Sequence, residues 1–234
     1  WGIHHSLHDL ENEKFTTRML IKAGATLGSW RSVRRIVYVS QKSQAQHSAL
    51  GYPAAKSIII PNGFNCLAFS PNDGVRVSIR RELGFSDHHL LIGNFGRYHP
   101  VKDHELLLRS FARITKDFTR AHLLLAGSGM TEANSELLGL IRTLGIANNV
   151  VLLGPRNDMP KMYNALDLYV LCSKSESFPN VLGEASACGV PSITTDVGDA
   201  AQIVSKTGGV VPPSSIDESC DALRQMLALG SSER

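Results

Sequence analysis

Leu166-Asp167-Leu168-Tyr169-Val170-Leu171, followed after three residues by Ser175-Glu176-Ser177-Phe178-Pro179-Asn180-Val181-Leu182-Gly183-Glu184, is the stretch that decides the fold. The first run is short and apolar and reads as a buried strand; the second opens a short apolar helix that Gly189 and Pro191 stop. Glu176 and Glu184, with seven residues between them, therefore stand at the carboxyl end of a strand. In an open α/β sheet ligands bind there, and the backbone N–H groups of Val181 and Leu182 at a helix start suit a phosphate. A carboxylate repels phosphate, so the two acids suit hydroxyl groups instead. A nucleotide-sugar carries phosphates and two hydroxyl-bearing rings.

Outward from this stretch the chain alternates strand and helix. Strands are expected over 90–95, 123–126, 150–153, 169–172, 191–194 and 208–211. Leu107, Phe111, Ile114 and Phe118 mark a helical stripe between the first two, and helices are expected over 136–144, 159–166 and 216–229. Short strands separated by single helices predict an α/β fold, a Rossmann-like parallel sheet with helices on both faces. Residues 1–60 read as helix, strand, helix, strand, with the first helix over 13–27, strands at 35–39 and 58–60, and a turn at Pro61-Asn62-Gly63.

The segment from Glu176 to Glu184 resembles the E-x7-E motif of retaining glycosyltransferases of family 4, which have the two-domain GT-B fold. Ser40 in Val-Tyr-Val-Ser, Pro61-Asn62-Gly63-Phe64-Asn65, Gly96-Arg97-Tyr98-His99-Pro100-Val101-Lys102, Ala126-Gly127-Ser128-Gly129 and Thr195-Asp196-Val197-Gly198 are similar to landmarks of that family and occur in its order. The resemblance implies three parts. Residues 1–63 are the tail of an N-terminal acceptor-binding domain, 64–87 an interdomain linker and first helix, and 88–234 a nucleotide-sugar donor-binding domain. It also implies a fragment, since the chain opens at Trp1 and a return helix is expected beyond Arg234.

The implied reaction moves a sugar from a UDP- or GDP-sugar to a hydroxyl of a glycan or lipid-linked acceptor, with retention, in cell-surface polysaccharide or glycolipid synthesis. The nucleotide-sugar is a substrate, so no cofactor is expected, and no Asp-x-Asp metal site is evident. Arg97 and Lys102 flank a turn after the strand at 90–95; they read as two solvated cations or, with the resemblance, as the diphosphate contacts. Asn180, Val181 and Leu182 supply the helix start. Glu184 is expected on the ribose and Glu176 on the transferred sugar, against the plainer readings of a first-turn helix acid and a loop carboxylate or cap. Gly127 either lets backbone approach the donor or serves a steric need. Arg156 resembles the base-side loop, and Asp158 reads best as a helix N-cap. His4 is matched to a histidine near the transferred sugar, or is one of a surface pair with His5.

Composition sets bounds on this reading. A net charge of +3 and the lack of any Lys/Arg block or aromatic-basic interleaving argue against nucleic acid. The four cysteines, at 66, 172, 188 and 220, have no metal-ligand spacing and read as small apolar fillers in a reduced, cytoplasmic setting. No apolar stretch reaches the ~20 residues of a membrane-spanning helix. Lys14, Arg18 and Lys22 make one helix face basic, which reads as a solvated face or as peripheral contact with anionic lipid at the inner membrane face. A nucleotide-sugar epimerase on a related fold and a non-catalytic nucleotide-sugar sensor stay open as alternatives. A dehydrogenase lacks its G-x-G-x-x-G after any expected strand.

Overall fold

Alternation of side chains along short β-branched and leucine-rich runs builds the larger of two compact units in the computed structural model, which describes residues 1–3, 7 and 15–229. That unit comprises Phe64–Lys174, Asn180–Asp196 and Ala201–Arg234, and the other comprises Trp1–Gly63, Ser175–Pro179 and Val197–Ala200.

In the smaller unit, β1 (Gly2–Ile3), α1 (Phe15–Gly28), β2 (Ile36–Tyr38), α2 (Gln41–Ala49) and β3 (Ser57–Ile59) follow in order, and the strands pair in parallel as β1-β2-β3. Among the described residues its core cluster comprises Ile3, Ala25, Val33, Ile36, Tyr38 and Tyr52. Ser40 caps α2, accepting from the Ser43 N–H at 3.0 Å.

The larger unit opens with α3 (Asp73–Glu82) and then runs β4 (Leu90–Phe95), α4 (His104–Ile114), β5 (Ala121–Ala126), α5 (Ser135–Thr143), β6 (Val150–Gly154), α6 (Met159–Ala165), β7 (Leu168–Leu171), α7 (Asn180–Ala187) and β8 (Ser192–Thr195). After α8 (Ala200–Val204) it closes with β9 (Gly209–Val211) and α9 (Ile216–Ala228). The six strands are parallel in the order β6-β5-β4-β7-β8-β9. Successive residues of a strand face opposite ways. Thus Ile92, Leu123, Leu125, Leu168, Val170 and Ile193 enter one core with the buried sides of α4, α5 and α9. On the other face α3, α6 and α7 pack in succession. The α/β architecture with helices on both faces is the one expected, and most element bounds lie within about two residues of the periodicity; α4, however, ends at Ile114, so Phe118 of the expected stripe lies beyond it, and β1 and α8 were not expected.

Helix α3 is anchored by charge rather than by an apolar stripe. Arg80 is almost wholly buried; it lies 3.3 Å from Asp167 and donates to the carbonyls of Ala165, Ser86 and His89. Arg76 pairs with the second oxygen of Asp167 at 2.7 Å, and the Leu91 N–H donates to Asp167 at 2.8 Å. One carboxylate thus ties α3 to the starts of β4 and β7.

Among the described residues, no helix is long and apolar enough to cross a membrane.

Candidate active site

The strand order reverses between β4 and β7: successive strands β4, β5, β6 step one way across the sheet, and β7, β8, β9 step the other. Helices leave such neighbouring strands on opposite faces, which opens a crevice at their carboxyl ends. Arg97 and Lys102 follow β4, and Asn180 to Glu184 lie on the helix that follows β7.

At the end of β4 the chain passes Gly96 and Arg97 into a single 3₁₀ turn, Pro100–Lys102, and then into α4 through Asp103, whose φ of 48° is left-handed. Arg97 is exposed and Lys102 half-buried, its stem 4.0 Å from where a Gly96 side chain would begin. Asp103 accepts from the Leu106 N–H at 3.4 Å and lies 3.6 Å from the Lys174 ammonium. The Lys174 N–H donates to the Val101 carbonyl at 2.7 Å, so the segment leaving β7 is fastened to the turn that carries Lys102. His104, first residue of α4, is buried with its ring stacked on Tyr98, and burial pulls its pKa down to about 4, helped by the charge of Lys102.

The end of β5 lies against this turn. Gly96 donates to the Ala126 carbonyl at 2.8 Å and Tyr98 to that of Ser128 at 2.7 Å. Gly127 has φ 139°, and a Cβ there would run into the Gly96 carbonyl. This close approach is by itself enough to require glycine, whatever else the residue contacts.

Helix α7 begins at Asn180, with Val181 and Leu182 in the first turn, where N–H groups have no partner within the helix. Gly183 gives room to the Phe64 ring, into which a Cβ would run. Glu184 is the fifth residue of α7, so it is not the first-turn acid of the plainer reading. It is half-buried, and its Oε2 accepts from the Tyr163 hydroxyl at 2.8 Å. Tyr163, on α6, is fully buried with its ring 5.1 Å from that of Phe95 and 5.6 Å from that of Tyr169. Desolvation drives its phenol far above the ordinary range, so it remains a donor.

Arg156, in the loop after β6, is held by Asp158 through two bonds, Nε to Oδ1 at 2.8 Å and Nη2 to Oδ2 at 2.6 Å, with Glu82 at 3.4 Å. Asp158 does occupy the N-cap position of α6, yet its side chain caps nothing. The expected capping role is therefore corrected: the carboxylate is spent on Arg156, whose hydrogen bond and charge hold Asp158 below the usual carboxylate range.

Glu176 belongs to the smaller unit, half-buried in Ser175–Pro179. Gly198, at φ 54°, packs against this segment so closely that a Cβ would run into the carbonyls of Ser177 and Glu176. The Asp199 N–H donates to Ser177 at 3.0 Å, while its buried carboxylate accepts from the N–H groups of Gln41 at 2.8 Å and Lys42 at 3.1 Å. His4 lies outside the described residues. Among the described residues no group of three His, Cys, Asp or Glu is placed to hold a metal ion.

Tyr163, Asp167 and Asp199 were not picked out from the sequence. A tyrosine on the buried side of a helix signals a partnered hydroxyl, but nothing local says which group it finds.

A family model described as "Glycosyl transferases group 1" matches residues 89–228. Among curated proteins, the D-inositol 3-phosphate glycosyltransferase of Actinosynnema mirum is 34% identical over 154 residues, covering 62% of this chain and 36% of that protein. The putative glycosyltransferase EpsF of Bacillus subtilis is 31% identical over 138 residues, 59% of this chain and 35% of EpsF. The chain thus spans little more than a third of these relatives. Among solved structures, Anabaena Alr3699/HepE in complex with UDP superposes with a TM-score of 0.84 at 25% identity, over 95% of this chain and 61% of that one. The same protein with UDP-glucose gives 0.82 at 26% over 95% and 62%. WaaG, a glycosyltransferase involved in lipopolysaccharide biosynthesis, shares the fold with a TM-score of 0.75 at 19% identity, over 94% and 62%.

Proposed function

The chain belongs to the group 1 glycosyl transferases, and from that premise we propose that it supplies the donor side of an enzyme moving a sugar from a UDP- or GDP-sugar to an acceptor hydroxyl with retention of configuration. The observation that carries the reading is the reversal between β4 and β7. Two cations end one strand, and a helix start followed by a hydroxyl-accepting carboxylate ends the other.

In this reading the nucleotide diphosphate is the leaving group. As the bond to the sugar breaks, negative charge grows on the diphosphate oxygens, and Arg97, Lys102 and the N–H groups of Asn180, Val181 and Leu182 offset it. Protein cations and backbone dipoles then do the neutralising, and no metal is required. Glu184 accepts from the ribose, Arg156 borders the base, and the backbone at Gly127 borders the diphosphate. Glu176 and His4 serve the transferred sugar. The acceptor is a glycan or lipid-linked hydroxyl in cell-surface polysaccharide or glycolipid synthesis, reached from the cytoplasmic side with peripheral membrane contact. The UDP and UDP-glucose complexes of HepE support a UDP-sugar as the first donor to try.

The test is a thermal-shift panel of UDP-, GDP- and ADP-sugars on the chain, followed by isothermal titration of any that respond. Ligand at 100 times its Kd adds about 2.7 kcal/mol of stability, so a true donor raises the melting temperature clearly. A flat panel overturns the proposal.

A further inference from the structure

We propose that Tyr163 is a positioning residue for Glu184: its hydroxyl holds one carboxylate oxygen so that the other is presented, already oriented, to a ribose hydroxyl. This rests on the ribose reading of Glu184.

The geometry is specific. Tyr163 has no exposed surface, and its ring is boxed by Phe69 at 5.9 Å, Phe95 at 5.1 Å and Tyr169 at 5.6 Å, so the hydroxyl cannot swing to another partner. It donates to Oε2 of Glu184 across 21 residues of sequence. A carboxylate accepts at two oxygens, and among the described residues Oε1 of Glu184 has no hydrogen bond. A glutamate side chain that is free to rotate loses that freedom when it grips a ligand; one already held by a buried donor has lost it on folding. The same Phe95 ring that walls Tyr163 is the last residue of β4, next to Gly96 and Arg97, and the Tyr169 hydroxyl donates to the Phe95 carbonyl at 3.2 Å. One aromatic cluster thus underlies both the Glu184 carboxylate and the turn of Arg97.

A buried hydroxyl that merely needed a partner would show the same bond, so the test must separate ribose recognition from support of the fold. The chain and its variants Tyr163→Phe, Glu184→Gln and the double substitution are titrated with UDP and with 2′,3′-dideoxy-UDP. Tyr163→Phe keeps the ring and its contacts, and thermal unfolding verifies the fold. The expected result is about a tenfold loss for UDP, under about twofold for the dideoxy ligand, and no further loss when Tyr163→Phe is added to Glu184→Gln. Equal losses for the two ligands would make Tyr163 a structural residue and overturn the proposal. So would unchanged UDP affinity in Tyr163→Phe alongside a loss in Glu184→Gln. If Glu184→Gln itself leaves UDP binding intact, the ribose reading fails first and takes the Tyr163 assignment with it.

Discussion

Arg97 and Lys102 bracket a turn whose shape is set by the His99 side chain, which accepts from the Val101 N–H at 3.2 Å, by Asp103, which caps α4, and by the bond from the Lys174 N–H to the Val101 carbonyl. Each Ala substitution should weaken UDP binding about tenfold or more, the worth of a charge-assisted bond; titration showing unchanged affinity for both removes the diphosphate assignment. Gly127→Ala differs in kind. It forces a side chain into the Gly96 carbonyl at a φ of 139°, so both the melting temperature and UDP affinity should drop together. His104 gives a pH effect with a definite sign. The unfolded residue binds its proton near 6.5, whereas the folded one waits until about 4. Between those values the unfolded state holds more protons, so stability is full above pH 6.5, falls toward pH 4 and then levels. At about 1.4 kcal/mol per unit the full loss is about 3–4 kcal/mol. Urea midpoints across this range check it, and His104→Gln should flatten the slope.

Elements are held together by two different means. The sheet and α4, α5 and α9 share an apolar core, whereas α3 is fastened by Arg76 and Arg80 to Asp167. Breaking a buried pair by removing one partner leaves an uncompensated charge, a cost of about 3–5 kcal/mol. Asp167→Asn should therefore lower the urea midpoint strongly, while Asp217→Asn, whose partner Arg113 is exposed on the surface, should change it little. If the two variants unfold alike, Asp167 does not anchor α3.

Across the molecule the two units are unequal in core. Among the described residues, six form the core cluster of the smaller one, against twenty-one in the main cluster of the larger. A segment of about sixty residues buries too little surface to be robust on its own, so amides of β2 and α2 should exchange with deuterium well before those of β4, β5 and β7. Matched protection would contradict this. The smaller unit also lacks any Asp or Glu from 15 to 63, and α1 exposes Phe15 and Leu20 beside Arg18 and Lys22. Sedimentation with vesicles should thus increase when phosphatidylglycerol replaces phosphatidylcholine and diminish with salt; equal, salt-independent recovery would rule the membrane contact out.

The βα alternation, the parallel sheet, and the placement of Arg97 and Lys102 after β4 and of Asn180 and Glu184 on the helix after β7 were legible in the sequence. Period-2 and helical repeats, glycine and proline stops are local signals, and in a parallel sheet every strand end that follows them falls on one edge. Tertiary structure alone decided the partners. That Tyr163 meets Glu184, that Arg156 is occupied by Asp158 rather than Asp158 by a helix end, and that Asp167 rather than an apolar stripe anchors α3 could not be read along the chain. Each follows from desolvation: a buried hydroxyl, guanidinium or carboxylate must find an opposite group, and the folded packing decides which group is within reach.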